Sequence, residues 1–355
     1  MYGEHDYEVL TSSREGLQRQ EDHFGSKQRH DTDGYNIIPF GYCTYRNRSD
    51  DGKFAFNINT ISEKAIVSKF YPVFRFTNAN STFMAEFLNS SPRVKKKLSV
   101  LAVGTSQVVL SFEALKAAKF DLPCKDEQDK IAAFLECLNT RIENQRTLVV
   151  ALKKYKRGVV DGIFSRKLNF SYPQTWAELE ISELFMPIFD KGYSDKIVLT
   201  IVQGEGTMPR DSVDRRIAYD KSTISSYKRV LPNDFILHLR SFEGGLEIVN
   251  EEGVVSPAYT ILRARNEIIP LFFYTFFRSY WFINSKLRIS VEGIRDGKSI
   301  NMNTFWHIKV PVPSIEEQRH ISALISSIDN RIKIAEFEYK RLLQIRVGLM
   351  QQLFI

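Results

Sequence analysis

Apolar residues recur at helical spacing in two stretches of the chain, and the two stretches are one pattern written twice. In the first, Ile131, Phe134, Leu135, Leu138, Ile142, Val149 and Leu152 mark intervals of three, four and seven. In the second, Ile321, Leu324, Ile325, Ile328, Ile332, Tyr339 and Leu342 do the same. Such stripes predict long amphipathic helices, each with a seam buried against another helix. The residues around them align without a gap, from Leu122–Phe164 onto Val312–Phe354. Pro123 meets Pro313, Glu127–Gln128 meets Glu317–Gln318, Arg141–Ile142 meets Arg331–Ile332, Gly158 meets Gly348 and Phe164 meets Phe354, always 190 residues apart. Each copy opens with acidic residues and closes with basic ones, a polarity that suits the helix dipole. Gly158 and Gly348 weaken the helices late. About 30 helical residues, at ~1.5 Å each, span roughly 45 Å.

Upstream of each helix the pattern changes. IVLTIVQ, DFILHLR and YTILRAR alternate or cluster β-formers, PNDF, FEGG and NEEG are turns, and ANSTFMAEFLNS and FYTFFRSYWFI predict helices. The repeat continues here with small gaps. AIVSKFYPVF (65–74) resembles GVVSPAYTIL (253–262), VGTSQVVLSFEAL resembles EGIRDGKSINMNTF, and EVLTSSREG resembles IVLTIVQGEG. Two full copies of 190 residues would need 25 more than the 355 present, so the first copy lacks a counterpart of about Arg166 to Asp190, the stretch holding Trp176. The expected architecture is α+β: a domain over residues 1–120, a central helix over 121–170, a second domain over 171–310 and a C-terminal helix over 311–355. An antiparallel coiled coil would relate the copies by a pseudo-twofold axis. Its seam would set Ile131, Leu135, Leu138, Ile142 and Val149 against Ile321, Ile325, Ile328, Ile332 and Tyr339.

Charge narrows the choice of partner. The net charge is +7 and the pI about 9.1, which suits a polyanion, nucleic acid first; the same excess would also serve solubility alone. The basic residues fall mainly in polar, loop-like stretches: Arg29, Arg46, Arg48, Lys53 and Lys95 to Lys97 in the first domain, and Arg210, Arg215, Arg216, Lys228, Arg229, Arg240, Arg295 and Lys298 in the second. Arg grips guanine edges bidentately, Gln reads adenine and Lys binds phosphate. The candidate DNA contacts are therefore Arg46, Lys53, Gln107, Arg210, Arg215, Arg240, Arg295 and Lys298. Gln107 and Arg295 lie in the matched loops VGTSQ and EGIRDGKS; for any single Arg, a solvated surface charge is the alternative. Half-sites on DNA lie roughly 34 Å apart per helical turn, so the helix pair is the right size for a ruler. The alternative is that the helices only dimerise the protein.

Other chemistry finds no support. Cys43, Cys124 and Cys137 have no zinc or disulfide spacing, and a reducing cytoplasm is the expected setting. No apolar signal opens the chain, and IIPLFFYTFFRSYWFI is broken by Pro270 and Arg278 before it could span a bilayer. GIRDGKS, from Gly293 to Ser299, has three residues between its glycines where a phosphate-binding loop needs four. The histidines form no metal spacing, and there is no Gly-rich S-adenosylmethionine loop, amino-methyltransferase tetrapeptide or persuasive nuclease set.

The pattern LPxxxEQxxI followed by a long amphipathic helix, twice, with (I/V)VSxxY inside each preceding domain, resembles the specificity subunits of type I restriction–modification systems. The resemblance covers both helices and most of both domains. It implies two target-recognition domains, each reading half of a bipartite DNA site, and paired helices that set the unread spacer and help dock two methyltransferase subunits. It also implies that motor–nuclease subunits join for restriction, and that S-adenosylmethionine, ATP and Mg belong to those partners while this chain carries no cofactor and no catalytic residue. Such subunits usually begin with a segment like that around Trp176, which puts the folding of the first domain in question. The rival expectation is a stand-alone DNA-binding or regulatory protein whose helices form its own interface.

Overall fold

The computed structural model describes residues 7–25, 32–168, 175–213, 221–238, 244–293 and 298–354. The chain divides into two units, residues 1–147 with 336–355 and residues 148–335. Each unit thus takes one repeated domain, the start of the helix that follows it and the end of the other helix.

In the first unit, β1 (Glu8–Ser13) and β2 (Gly16–Arg19) form a hairpin that leads into the short α1 (Gln20–Phe24). With β3 (Asn36–Ile37) and β7 (Ala65–Val67) they make a sheet in the order β2-β1-β7-β3, in which β1 and β7 run parallel. β4 (Cys43–Tyr45) is central in a second sheet, between β6 (Phe56–Ile58) and β8 (Val73–Phe74), and β5 (Arg48–Ser49) pairs with β9 (Val108–Val109). The helices α2 (Ser81–Ser90), α3 (Pro92–Leu101) and α4 (Phe112–Ala117) each open on a side-chain cap: Asn80, Ser91 and Ser111 accept from the amides of Phe83, Val94 and Ala114. α5 (Lys125–Phe164) follows.

The second unit opens with β10 (Ala177–Glu180), α6 (Ile181–Leu184) and β11 (Phe185–Pro187). It then repeats the plan. The hairpin is β12 (Leu199–Val202) with β13 (Gly206–Pro209), and β14 (Lys228–Val230) pairs with β17 (Gly253–Val255), which meets Val198 in parallel. β15 (Phe235–His238) lies between β16 (Glu247–Ile248) and β18 (Tyr259–Ala264). α7 (Pro270–Phe277) is followed by β19 (Val291–Glu292), β20 (Ser299–Ile300), α8 (Met302–Trp306), β21 (Lys309–Val312) and α9 (Ile315–Leu353).

Each domain grips the helices in the same way. Gln318 is 2 % exposed; its side chain accepts from the Ile269 amide at the start of α7 (3.0 Å) and donates to the Pro313 carbonyl (3.0 Å). In the first unit Gln128, 3 % exposed, accepts from the Asn80 amide at the start of α2 (3.0 Å) and donates to Pro123 (2.9 Å). The Glu-Gln pair seen twice in the sequence is therefore a latch from helix to domain. The far end of the other helix supplies a ring. Phe354 lies 5.6 Å and 5.9 Å from Phe83 and Phe87, and Phe164 lies 5.5 Å and 5.0 Å from Phe272 and Phe276. Ala132 and Leu135 pack with Met350 and Phe354 in one unit, Ile321 and Ile325 with Val160 and Phe164 in the other. In both, the start of one helix meets the end of the other, so the pair is antiparallel.

The helices hold 40 and 39 residues, longer than the 30 or so that the sequence predicts. Gly158 and Gly348 do not end them, because Ile163, Phe164, Met350 and Phe354 anchor the last turns in domain cores. Of the expected seam, Leu135, Val149, Ile321, Ile325, Ile328 and Ile332 are buried, while Ile131, Leu138, Ile142 and Tyr339 are half-buried. Phe134 is 51 % exposed and lies off the buried face.

The units differ at one edge. β10 pairs antiparallel with β21, and β11 with β18. Among the described residues, the first unit has no counterpart of β10, α6 or β11. Positions matched to buried Leu262 and Val310, and to Ala264 and Met302, hold Phe74, Phe120, Phe76 and Phe112 instead. These rings enlarge the core where the second unit inserts Phe185. Phe74 lies 5.3 Å from Phe76 and 5.1 Å from Phe112, and Phe87 lies 5.6 Å from Phe120. The first domain thus closes a core of its own.

Candidate nucleic-acid interface

In each unit a cleft opens at the tip of the equivalent hairpin. The first is a cleft of about 100 Å³, lined by Ser13 and Arg14 from the hairpin, by Arg46, Arg48 and Lys53, and by Asp50. The loop 49–53 is built to hold these charges apart. Asp51 accepts from the Ser49 hydroxyl (2.9 Å) and from the Lys53 amide (3.2 Å), while Gly52 takes φ 70° to complete the turn. The Ser49 hydrogen bond, the Lys53 amide and the charges of Arg14 and Lys53 hold the Asp51 carboxyl below its ordinary range. Arg14 and Lys53 share that carboxylate, at 2.5 and 3.6 Å. Arg46 and Arg48 have no carboxylate within ion-pair distance among the described residues; Arg48 instead lies 5.5 Å from the exposed ring of Phe70.

Gln107 joins this face from β9. Its loop is pinched by reciprocal backbone bonds between Val103 and Val109 (3.0 and 2.9 Å). Gly104 turns it at φ 140°, where a Cβ would sit 2.2 Å from the Gln107 carbonyl. The Gln107 side-chain amide donates to Asp50 (2.9 Å), which leaves its carbonyl oxygen facing outward. Arg46, Lys53 and Gln107 are all exposed.

The second cleft, about 570 Å³, is lined by Gln203 of the hairpin, Arg210, His238, Gly245, Glu247 and Tyr259. Its floor is a buried polar network. Glu247, 4 % exposed, accepts from the Gly204 amide (2.9 Å) and the Tyr274 hydroxyl (3.0 Å) and pairs with Arg278. Burial, with Asp329 and Glu205 nearby, pushes the Tyr274 phenol up to about 12, so it remains the donor. Gly245 has φ +82°, and a Cβ there would meet the Phe277 carbonyl at 2.1 Å.

Arg210 is half-buried at this cleft and Lys298 is exposed elsewhere on the unit. Arg215, Arg240 and Arg295 lie outside the described residues, as do Arg29 and Arg216. Two residues counted with the surface cations are internal. Lys228 is 9 % exposed and donates to the Tyr259 carbonyl (2.7 Å); burial, with Lys191 nearby, pushes its ammonium down. Arg229 is held by Glu252 (2.9 Å) and Tyr193. Both sit on β14, whose strand geometry turns alternate side chains inward. Sequence reading missed Arg14, which only the hairpin brings beside Arg46, and Glu247, a buried acid with no signature. Among the described residues no group of His, Cys, Asp and Glu could hold a metal ion, and no helix is long and apolar enough to cross a membrane.

The family model described as the type I restriction modification DNA specificity domain matches the chain twice, over residues 3–152 and 173–344. The chain belongs to this family. Each match takes in one hairpin cleft and reaches into the helix that follows. A protein of Methanocaldococcus jannaschii named as the type I restriction enzyme MjaX specificity subunit is 23 % identical over 257 residues. The alignment takes 67 % of this chain and 59 % of that protein. The MjaVIII specificity subunit of the same organism is 27 % identical over 126 residues, 34 % of this chain and 28 % of its own. The chain therefore spans less than two thirds of the length of these relatives. The fold is shared with a type I specificity subunit structure from M. genitalium (TM-score 0.54, 19 % identity, covering 100 % of this chain and 90 % of that one). It is also shared with a chain from a study of type I restriction–modification complex assembly (TM-score 0.56, 16 % identity, covering 90 % and 83 %). In this specificity family the two matched regions correspond to the two repeated domains.

Proposed function

We propose that this chain is the DNA-reading subunit of a type I restriction–modification complex. Each domain reads one half of a bipartite site, and the helix pair fixes the unread spacer. The observation that carries the proposal is the placement of two clefts at the same hairpin corner of two repeated domains, each with arginine and amide side chains at its mouth. Arginine and glutamine are the side chains that grip guanine and adenine edges, and the neighbouring lysines suit phosphates. The chain itself is non-catalytic in this reading. Methyltransferase subunits, two per chain, dock along the helices and bind S-adenosylmethionine; motor–nuclease subunits supply ATP- and Mg-dependent cleavage.

The test is to express the chain with its methyltransferase subunits and footprint the complex on random-sequence DNA. Two short protected half-sites at constant separation are expected, with an affinity that falls steeply as salt rises. A single contiguous site sinks the bipartite reading. Equally tight, specific binding by the lone chain would favour a stand-alone DNA-binding protein.

A further inference from the structure

We infer that the open edge of the first unit is an acceptor site for an extended polypeptide segment donated by a partner protein. This reading does not rest on DNA recognition. In the second unit the matching edge is closed by β10, α6 and β11. Ala177 to Glu180 pair with Val312 to Lys309, Phe185 to Pro187 pair with Ala264 to Leu262, and the Ile181 amide donates to the Ile308 carbonyl (3.0 Å). The 190-residue repeat maps β21 onto Lys119–Leu122. Among the described residues, Lys119–Leu122 belong to no strand, and β8 pairs with β4 alone.

The side chains at this edge are those of an incompletely covered core. Leu262 and Val310 are fully buried, whereas Phe74 and Phe120 at the matched positions are only half-buried, together with Phe76 and Phe112; Leu122 is 39 % exposed. The rings close the core beneath, yet they leave an apolar surface beside unpaired backbone. That combination is what strand addition uses: main-chain bonds for affinity, side-chain contacts for selectivity. Charge specifies the donor. Lys97 lies 5.0 Å from the Phe120 ring and Lys116 lies 5.4 Å from the Phe112 ring, while exposed Lys119 matches Lys309, which faces Glu180 across the β10–β21 register. The second unit's own occupant, TWAELEISELFMPI (175–188), is apolar and acidic in alternation. The donated segment has that chemistry: aromatic or aliphatic anchors spaced by glutamates.

The probe is a labelled synthetic peptide of the sequence 175–188, titrated onto the full chain. Saturable binding of one peptide per chain is expected, with new amide-exchange protection at Lys119–Leu122 and at β8. A peptide with both Trp176→Ala and Phe185→Ala should bind more than about thirtyfold more weakly. The exposed substitution Lys119→Glu, which spares the core, should weaken the parent peptide by about threefold and be rescued by Glu180→Lys in the peptide. Absence of binding, protection confined to residues 309–312 through displacement of β10, or indifference to the charge exchange would each overturn the inference. None of these outcomes bears on the DNA footprint, so the two proposals fail separately.

Discussion

Two glutamines and a third illustrate what a single side chain does in this molecule. Gln128 and Gln318 each satisfy a backbone amide and a backbone carbonyl inside the protein. Alanine would leave both groups buried without partners, at a cost of roughly 1–3 kcal/mol for an orphaned group. Gln318→Ala should therefore lower stability by about 2 kcal/mol, read as a shift in the urea midpoint, and Gln318→Glu should not restore it, because a carboxylate has no donor for Pro313. An unchanged midpoint would mean the latch is not needed. Gln107 is different, since it is exposed and held by Asp50 alone. Its replacement by alanine should leave stability unaltered and relax discrimination at one base pair by about 1–3 kcal/mol, measured by competition among single-base variants of the site. The sequence shows all three as glutamines and places two of them in a repeat. Only the fold separates the latch from the reader, because burial decides and burial is a property of what packs on top. The same blindness put Lys228 among the surface cations although it donates to a carbonyl beneath β18.

The long helices were the most legible elements, because periodicity is written in the residues that make the seam. Their length was less so. Propensity ends a helix at glycine, but Phe164 and Phe354 make the last turn part of a domain core, and tertiary packing overrides a cost of about 1 kcal/mol. The short strands were legible as β-rich runs without an order, since pairing joins residues far apart in the chain, as Glu8 joins Ala65. The shortfall of the first copy was visible as a count, and the four phenylalanines that answer it stood in the sequence unremarked; their meaning depends on which residues they replace in space. If the helices set the spacer, removing one turn after Ile142 and another after Ile332 should shorten it while both half-sites stay the same. Four residues remove about 6 Å of helix, close to two base-pair steps of ~3.4 Å. Footprinting of the variant complex reads the spacer directly, and an unchanged separation would assign the helices to assembly alone.

At the scale of the whole molecule, duplication makes a prediction that neither domain makes by itself. The two clefts belong to separate units, with separate cores and separate polar networks: Asp50 and Asp51 order one, Glu247 the other. Substitutions in one cleft should then alter one half-site and leave the other alone. Arg46→Ala with Arg48→Ala should weaken binding through the first half-site, each lost phosphate contact reducing the salt slope by about 0.9. Arg210→Ala should act on the second half-site only. Because contacts without shared partners add to within about 0.5 kcal/mol, the triple variant should lose the sum of the two effects, measured as the change in log Kd at fixed salt on a series of half-site mutants. Coupling beyond that margin, or loss of preference at the same bases in both variants, would show that the domains do not read independently, and the duplicated fold would then serve one composite site.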